Sequence, residues 1–146
     1  MTLPTAGRVL LTVSAGGLGT ALTVRLLRRR FTMVRVQGGS MAPTYADGDR
    51  LLVHRTTRVR TGDAVVFDNP VTPPGHIPDP PWMVKRVTAL PGDPVPADVR
   101  PAVSADTNTR VPPGHLVVRG DADRSQDSRH FGYVPAASII GVVLRP

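Results

Sequence analysis

Lys85 is the only lysine among 146 residues; the other seventeen basic residues are all arginine. A guanidinium stays protonated near neutral pH, whereas a desolvated amine can lose its proton and serve as a base. The residues around it, Trp82-Met83-Val84-Lys85-Arg86-Val87-Thr88, read as a strand. Alternation puts Met83, Lys85 and Val87 on one face and Val84, Arg86 and Thr88 on the other. An amine between two apolar neighbours is desolvated. The ordinary alternative is an edge-strand lysine that reaches water and discourages aggregation.

Two further patterns hold groups that a base could serve. Gly38-Gly39-Ser40-Met41-Ala42-Pro43-Thr44 sets a hydroxyl in a glycine-rich turn, where backbone amides can face a developing oxyanion. Taken alone, a serine there is ordinarily a turn residue. Gly120-Asp121-Ala122-Asp123-Arg124-Ser125-Gln126-Asp127-Ser128-Arg129-His130-Phe131-Gly132 packs hydroxyls, carboxylates and guanidinium groups into one loop. A solvated turn or a calcium loop would share its composition. The EF-hand spacing is absent, and all eleven acids are Asp, so the terminal Glu is missing too. The chain has no Cys, which excludes thiolate nucleophiles, disulfides and cysteine-based zinc sites. His54, His76, His115 and His130 are scattered and receive no role.

Together these patterns resemble the type I signal peptidases, the membrane-bound Ser/Lys proteases. The Ser-Met-x-Pro-Thr box is Ser40–Thr44. The Gly-Asp box occurs as Gly48-Asp49 and again as Gly62-Asp63-Ala64-Val65-Val66-Phe67. The Lys-Arg-Val…Pro-Gly-Asp box is Lys85–Asp93, and the last box is Gly120–Gly132. The resemblance covers about residues 32–143, with four boxes in order. It implies Ser40 as nucleophile, Lys85 as general base and the Ser40 amide as oxyanion donor. It implies that Ser125 hydrogen-bonds the lysine and that Asp127 and Arg129 form a structural ion pair. Gly38, Gly39, Met41 and Pro43 are expected to line the substrate groove. No metal or cofactor is implied. Ala122 departs from the family's Asn, and Gly38 stands where some members carry a serine.

These groups need a scaffold, and the texture after Arg30 is β. Expected strands are Thr32–Gln37, Arg50–His54, Ala64–Phe67, Met83–Thr88, His115–Arg119 and Ile139–Leu144, bounded by Gly, Pro and Asp. Sixteen Pro and fourteen Gly argue against a helix bundle. Pro70–Pro81, with six prolines, reads as a surface loop, and Pro94–Pro113 as a second irregular excursion. The fold class expected from the resemblance is mainly β: a coiled antiparallel signal-peptidase-like core with one N-terminal membrane-anchor helix. Residues 1–30 would form the anchor and its basic flank, and residues 31–146 the protease domain.

The charge distribution supports that division. The net charge is +7, yet residues 1–30 hold five Arg and no acid, while the rest is nearly balanced, with thirteen basic and eleven acidic groups. The excess sits beside Val9–Val24, sixteen uncharged residues, which suits a membrane anchor better than a DNA groove reader. As a helix that stretch is about 24 Å long, short of a bilayer's ~30 Å unless Arg25 snorkels. Arg28-Arg29-Arg30 and the lack of a small-x-small site argue against a cleaved secretory peptide. Aromatics are only 4%, too few for a single-strand stacking platform.

The leading expectation is a membrane-anchored serine endopeptidase acting on precursor proteins or leader peptides with small residues before the cut. A dedicated maturation protease for one precursor is the alternative. LexA-type repressors share the dyad but need a DNA-binding region in place of the apolar N-terminus. A non-catalytic basic membrane-surface protein would have no reason to keep both Ser40 and Lys85. The resemblance implies a catalytic domain outside the cytoplasm. Positive-inside counting points the other way, with Arg25, Arg28, Arg29, Arg30 and Arg35 following the span. The unique lysine yields a direct test. Lys85→Arg keeps the charge but loses the base, so cleavage of a small-x-small leader peptide should fall nearly as far as in Lys85→Ala. Activity within about tenfold of wild type would show that only a cation is needed there.

Overall fold

The computed structural model describes residues 19–144, apart from 22, 27, 72–74 and 77–79. Short Val-rich segments form the strands β1 (Phe31–Arg35), β2 (Arg50–His54), β3 (Ala64–Asp68), β4 (Trp82–Ala89), β5 (His115–Arg119), β6 (Val134–Pro135) and β7 (Ile139–Val143). All pairings are antiparallel, in the order β1-β2-β7-β3-β4-β5-β6. A four-residue helix, α1 (Ser128–Phe131), and 3-10 turns at Arg100–Val103 and Ala136–Ser138 complete the described elements.

The sheet curls around β3, which is buried on both faces. Ala64 and Val66 pack with Val34, Val36, Met41, Tyr45, Leu51, Val53 and Val84. Val65 and Phe67 pack on the other side with Val87, Leu116, Val118, Val134 and Ile139. A strand covered twice needs a continuous apolar run rather than alternation, and Ala64-Val65-Val66-Phe67 supplies it. Register shifts at Val66/Phe67 against β7 and at Val87/Ala89 against β5 mark where the ladders bend. The second shift sends Ala89 into a third cluster, with Val95, Val99, Val111 and Val117. The Pro94–Pro113 excursion therefore has a core of its own, an order that its irregular sequence does not announce.

Five of the six expected strands agree with the observed ones to within a residue or so at each end. The first begins one residue earlier and ends at Arg35 rather than Gln37. Val36 still pairs, donating its amide to Asp49 O at 2.8 Å, before Gly38 turns the chain at φ +78°. The two-residue β6 has too little pattern to be read from sequence. The expected anchor, Val9–Val24, lies outside the described residues through position 18. Beyond it the backbone is helical at 19–21, 23–26 and 28–30. Among the described residues no helix is long and apolar enough to cross a membrane.

Gly141 marks the tightest strand crossing. A Cβ there would meet His54 O at 2.3 Å and Val53 Cγ1 at 2.8 Å. Backbone cannot yield as a side-chain tip can. Gly141→Ala should therefore destabilise the fold by about 1–3 kcal/mol, read as a lower urea midpoint at constant slope.

Candidate active site

The first box leaves β1 through a turn held from both sides. Gly38 donates its amide to Asp47 Oδ1 at 2.8 Å, and Ala42 donates to Gly39 O at 3.1 Å. Met41, 1% exposed, anchors the turn in the first core cluster. Ser40, next to that anchor, is half-buried and faces β4.

Lys85 sits in β4 opposite Val65, and its neighbours Met83 and Val87 pack against the second cluster, as strand alternation requires. The side chain is 2% exposed. Its Nζ lies 2.6 Å from Ser40 Oγ, although the two residues are 45 apart in the chain. Burial pushes the Lys85 pKa below the ordinary lysine value, while the carboxylates of Asp127 and Asp121 pull it partly back. An amine biased toward its neutral form, in contact with a hydroxyl, can exchange a proton with it.

The last box wraps this pair. Ala122 donates its amide to Ser40 O at 3.1 Å, and a Cβ at Gly120 would lie 2.5 Å from that same oxygen and 2.0 Å from Ser125 Oγ. Only glycine lets the loop approach so closely. Asp127 is fully buried and takes bonds from the Gly120 amide (2.9 Å), the Arg129 amide (3.1 Å), Arg129 Nε (2.9 Å) and Arg129 Nη2 (2.8 Å). It also caps α1, with His130 Nδ1 accepting weakly from its amide at 3.5 Å. Burial alone would raise the Asp127 carboxyl, but these donors outweigh it and hold the pKa at about 2.

Ser125 departs from expectation. It is buried beside the site, yet its hydroxyl has no hydrogen-bond partner among the described residues, so the implied bond to Lys85 is not formed. Lys85 Nζ is directed to Ser40 instead. The expected groove residues stand differently relative to the cleft. A cleft of about 260 Å³ opens over Ser40 and Lys85, and of the four residues expected to line it only Met41 does. Gly38 and Gly39 shape the turn, and Pro43 lies outside the lining. The walls come instead from Val36 and Gln37 after β1, from Trp82, Met83 and Val84 in β4, and from Gln126. Three wall residues directly precede Lys85 in its strand, which is the one sequence clue that was available.

Sequence reading also passed over Arg86 and Asp121. Arg86 grips Asp121 with two bonds, Nε to Oδ1 at 2.7 Å and Nη2 to Oδ2 at 2.5 Å, and donates a third to Gly62 O at 2.9 Å. Hydrogen bonds from Arg86 and then Thr44 hold the Asp121 pKa below the usual carboxylate range against the pull of burial. Among the described residues no cluster of His, Cys, Asp or Glu could hold a metal ion.

With this geometry in view, comparison with known proteins is informative. The profile of a family described as "Signal peptidase, peptidase S26" matches residues 9–100 and 96–145. The chain is 38% identical over 116 residues to the mitochondrial ATP-independent inner membrane protease subunit 1a of Arabidopsis thaliana, covering 75% of this chain and 66% of the relative. It is 37% identical over 114 residues to the mitochondrial inner membrane protease subunit 1 of Xenopus tropicalis, covering 75% and 64% respectively. The chain thus spans about two thirds of the length of these relatives. Signal peptidase I V of Bacillus subtilis is 29% identical over 164 residues, with 88% of this chain and 93% of the relative covered.

The Asp127 network predicts both a stability loss and a pH signature. Asp127→Ala leaves Arg129 without its partner and the Gly120 amide without an acceptor, and should cost about 3 kcal/mol in thermal or urea unfolding. In the wild type the folded-state pKa is depressed, so its stabilisation is present above the unfolded carboxylate value and is lost as pH falls toward about 2. Acid titration of stability should therefore be steeper between pH 4 and 2 in the wild type than in Asp127→Asn. Coincident curves would show the loop to be a solvated turn.

Proposed function

The chain belongs to the signal peptidase, peptidase S26, family, and from that premise we propose that it is a membrane-anchored serine endopeptidase that removes N-terminal leader peptides, with Ser40 as nucleophile and Lys85 as general base. The observation that carries this reading is the 2.6 Å contact between a buried amine and a serine hydroxyl. The desolvation that lowers the Lys85 pKa adds support, because only a neutral amine can accept a proton.

The chemistry runs in two halves. Lys85 takes the Ser40 hydroxyl proton as Oγ attacks the scissile carbonyl. The Ser40 backbone amide, which bonds to no described residue, is the candidate donor to the oxyanion. The Lys85 ammonium then protonates the leaving amine. Water, activated by the same lysine, hydrolyses the ester on Ser40. Arg129 and Asp127 hold the loop that presses on Ser40; they do not touch the reacting atoms. Ser125, adjacent but unbonded, is assigned to orient the amine once Ser40 is acylated.

Residues 1–30 serve in this proposal as anchor and basic flank, and residues 31–146 as the catalytic domain facing away from the cytoplasm. Mitochondrial relatives carry "inner membrane" in their names, in keeping with an anchored protease. The substrate is an extended precursor segment with small residues before the cut. A dedicated maturation protease is the second reading. It is favoured by the exposed side chains of Gln37 and Gln126 around the cleft, which offer amides where a general peptidase needs only small apolar pockets.

Ser40→Ala should retain the wild-type melting temperature and lose cleavage of a small-x-small leader peptide by roughly a thousandfold or more. Wild-type kcat/KM should rise with pH through a pKa below the ordinary lysine value, because deprotonation creates the base. Near-normal turnover by the alanine variant, or a rate that falls as pH rises from 6 to 9, would end the assignment.

A further inference from the structure

β1 ends the sheet on one side, and among the described residues no strand pairs with its far edge. The ladder shows which backbone groups that edge presents. Val36 donates its amide to Asp49 O at 2.8 Å and accepts from the Gly48 amide at 2.9 Å, and Arg30 O accepts from the Arg55 amide at 2.8 Å. These two residues bond toward the β2 side. By alternation Met33 and Arg35 turn their N–H and C=O groups to the open edge. Arg35 and Val36 both belong to the wall of the cleft over Ser40 and Lys85. They differ in face: Val36 is buried in the first core cluster, whereas the Arg35 side chain is exposed on the opposite side.

The charge at this edge is not matched by ion pairs. Arg35 stands directly opposite Arg50, and the ladder makes theirs a non-hydrogen-bonded pair, the kind that brings side chains closest. Like charges so placed destabilise a sheet unless an anion lies between them. Neither guanidinium has an ion-pair partner among the described residues. The acids of the adjoining turn bond to backbone: Asp47 Oδ1 accepts from the Gly38 amide, and Asp49 Oδ2 from the Ala46 amide. The Arg35 guanidinium lies against this turn, where a Cβ on Gly48 would sit 3.4 Å from Nη2 and 3.9 Å from Nε. Among the described residues lining the cleft none is acidic, and the basic ones are Arg35 and Lys85. Lys85 must be neutral to act as a base, so Arg35 is the standing positive charge of the wall.

We propose that Arg35, backed by Arg50, is a specificity-determining residue that selects precursors carrying Asp or Glu at the second or fourth position before the cut. The inference rests on the peptidase reading above and adds a side-chain preference to it. An extended segment seated beside β1 bonds to the free N–H and C=O of Arg35, and residues paired across strands project to the same side. The small residues of a small-x-small sequence enter the cleft on the side of Val36 and Ser40. Alternation then turns the residue between them, and the one two places earlier, to the side of Arg35. A carboxylate there meets a guanidinium whose fork matches its two oxygens, and it relieves the repulsion between Arg35 and Arg50. A basic residue at the same place faces two guanidinium groups, so selection also works by repulsion.

The test compares matched leader peptides cleaved by the full-length protein in uncharged detergent micelles, where no lipid phosphate competes for the arginines. Each peptide keeps small residues at the first and third positions before the cut. Glu, Gln or Lys is placed at the second, the fourth or, as a control on the other face, the fifth. At the second or fourth position kcat/KM should be about five- to tenfold higher for Glu than for Gln, and lower still for Lys. The difference should lie mainly in KM and shrink in about 0.5 M salt. At the fifth position Glu and Gln should be equivalent. Arg35→Gln should bring the Glu-to-Gln ratio close to one, Arg35→Lys should keep part of it, and Arg50→Gln should lower it less than Arg35→Gln does. Each ratio is taken within one variant, so a general loss of activity on substituting Arg35 does not imitate the result. Equal rates for Glu and Gln at both positions overturn the inference, as does a Glu preference that survives Arg35→Gln. Cleavage of the Gln peptides that depends on Ser40 but shows no such preference refutes the selectivity alone. Peptides left intact by the wild type refute the peptidase reading, and this inference with it.

Discussion

The Arg86–Asp121 ion pair is the joint through which the four sequence boxes become one site. Arg86 comes from β4, Asp121 from the last box, and the third guanidinium bond ends on Gly62 O in the turn before β3. Thr44, from the first box, adds its hydrogen bond to Asp121. A planar guanidinium offers its donors in a fixed fork, so one residue can set the angle between a strand and two loops. Lys85 is the preceding residue in the same strand. Alternation turns it to the opposite face, and the grip on Arg86 settles where that face presents the amine.

The electrostatics of the site depend on the same pairing. Lys85 is buried near two carboxylates, an environment that ordinarily favours the ammonium. Each carboxylate, however, already has an arginine: Asp121 is held by Arg86, and Asp127 by Arg129. Their pull on Lys85 is therefore weakened, desolvation outweighs it, and the pKa is lowered. Burial thus has the larger say in the charge of the amine beside Ser40, and the two ion pairs temper the opposing pull of the carboxylates. Buried polar groups are tolerated in this loop because nearly all are satisfied. Ser128 Oγ, for example, accepts from the Val118 amide at 3.0 Å. Ser125 is the exception, with a buried hydroxyl left unbonded at the edge of the cleft.

Glycine at position 120 is the steric counterpart of these charges. A side chain there would collide with both Ser125 and the Ser40 carbonyl, so the loop would stand off and the Ala122 amide would lose its acceptor. The loop approaches Ser40 from one side while the buried Met41 holds the turn from the other. Ser40 is positioned by backbone packed at both ends, which limits how far its Oγ can drift from Lys85 Nζ.

Much of this was already present in the order of residue types. The single lysine in an arginine-rich chain, the Gly-Gly-Ser turn and the acidic last box identified the groups that meet, and alternation assigned Lys85 its face. Strand positions followed from short Val-rich runs between Gly, Pro and Asp, because those are local preferences that neighbours alone can express. What the chain order could not express was contact across it. The grip of Arg86 on Asp121, the collision that makes Gly120 obligatory, the unbonded Ser125 and a cleft walled by Val36, Trp82 and Gln126 depend on which loops the curled sheet brings together. Those distances are set by the packing of both faces of β3, a long-range condition that no local window of sequence contains.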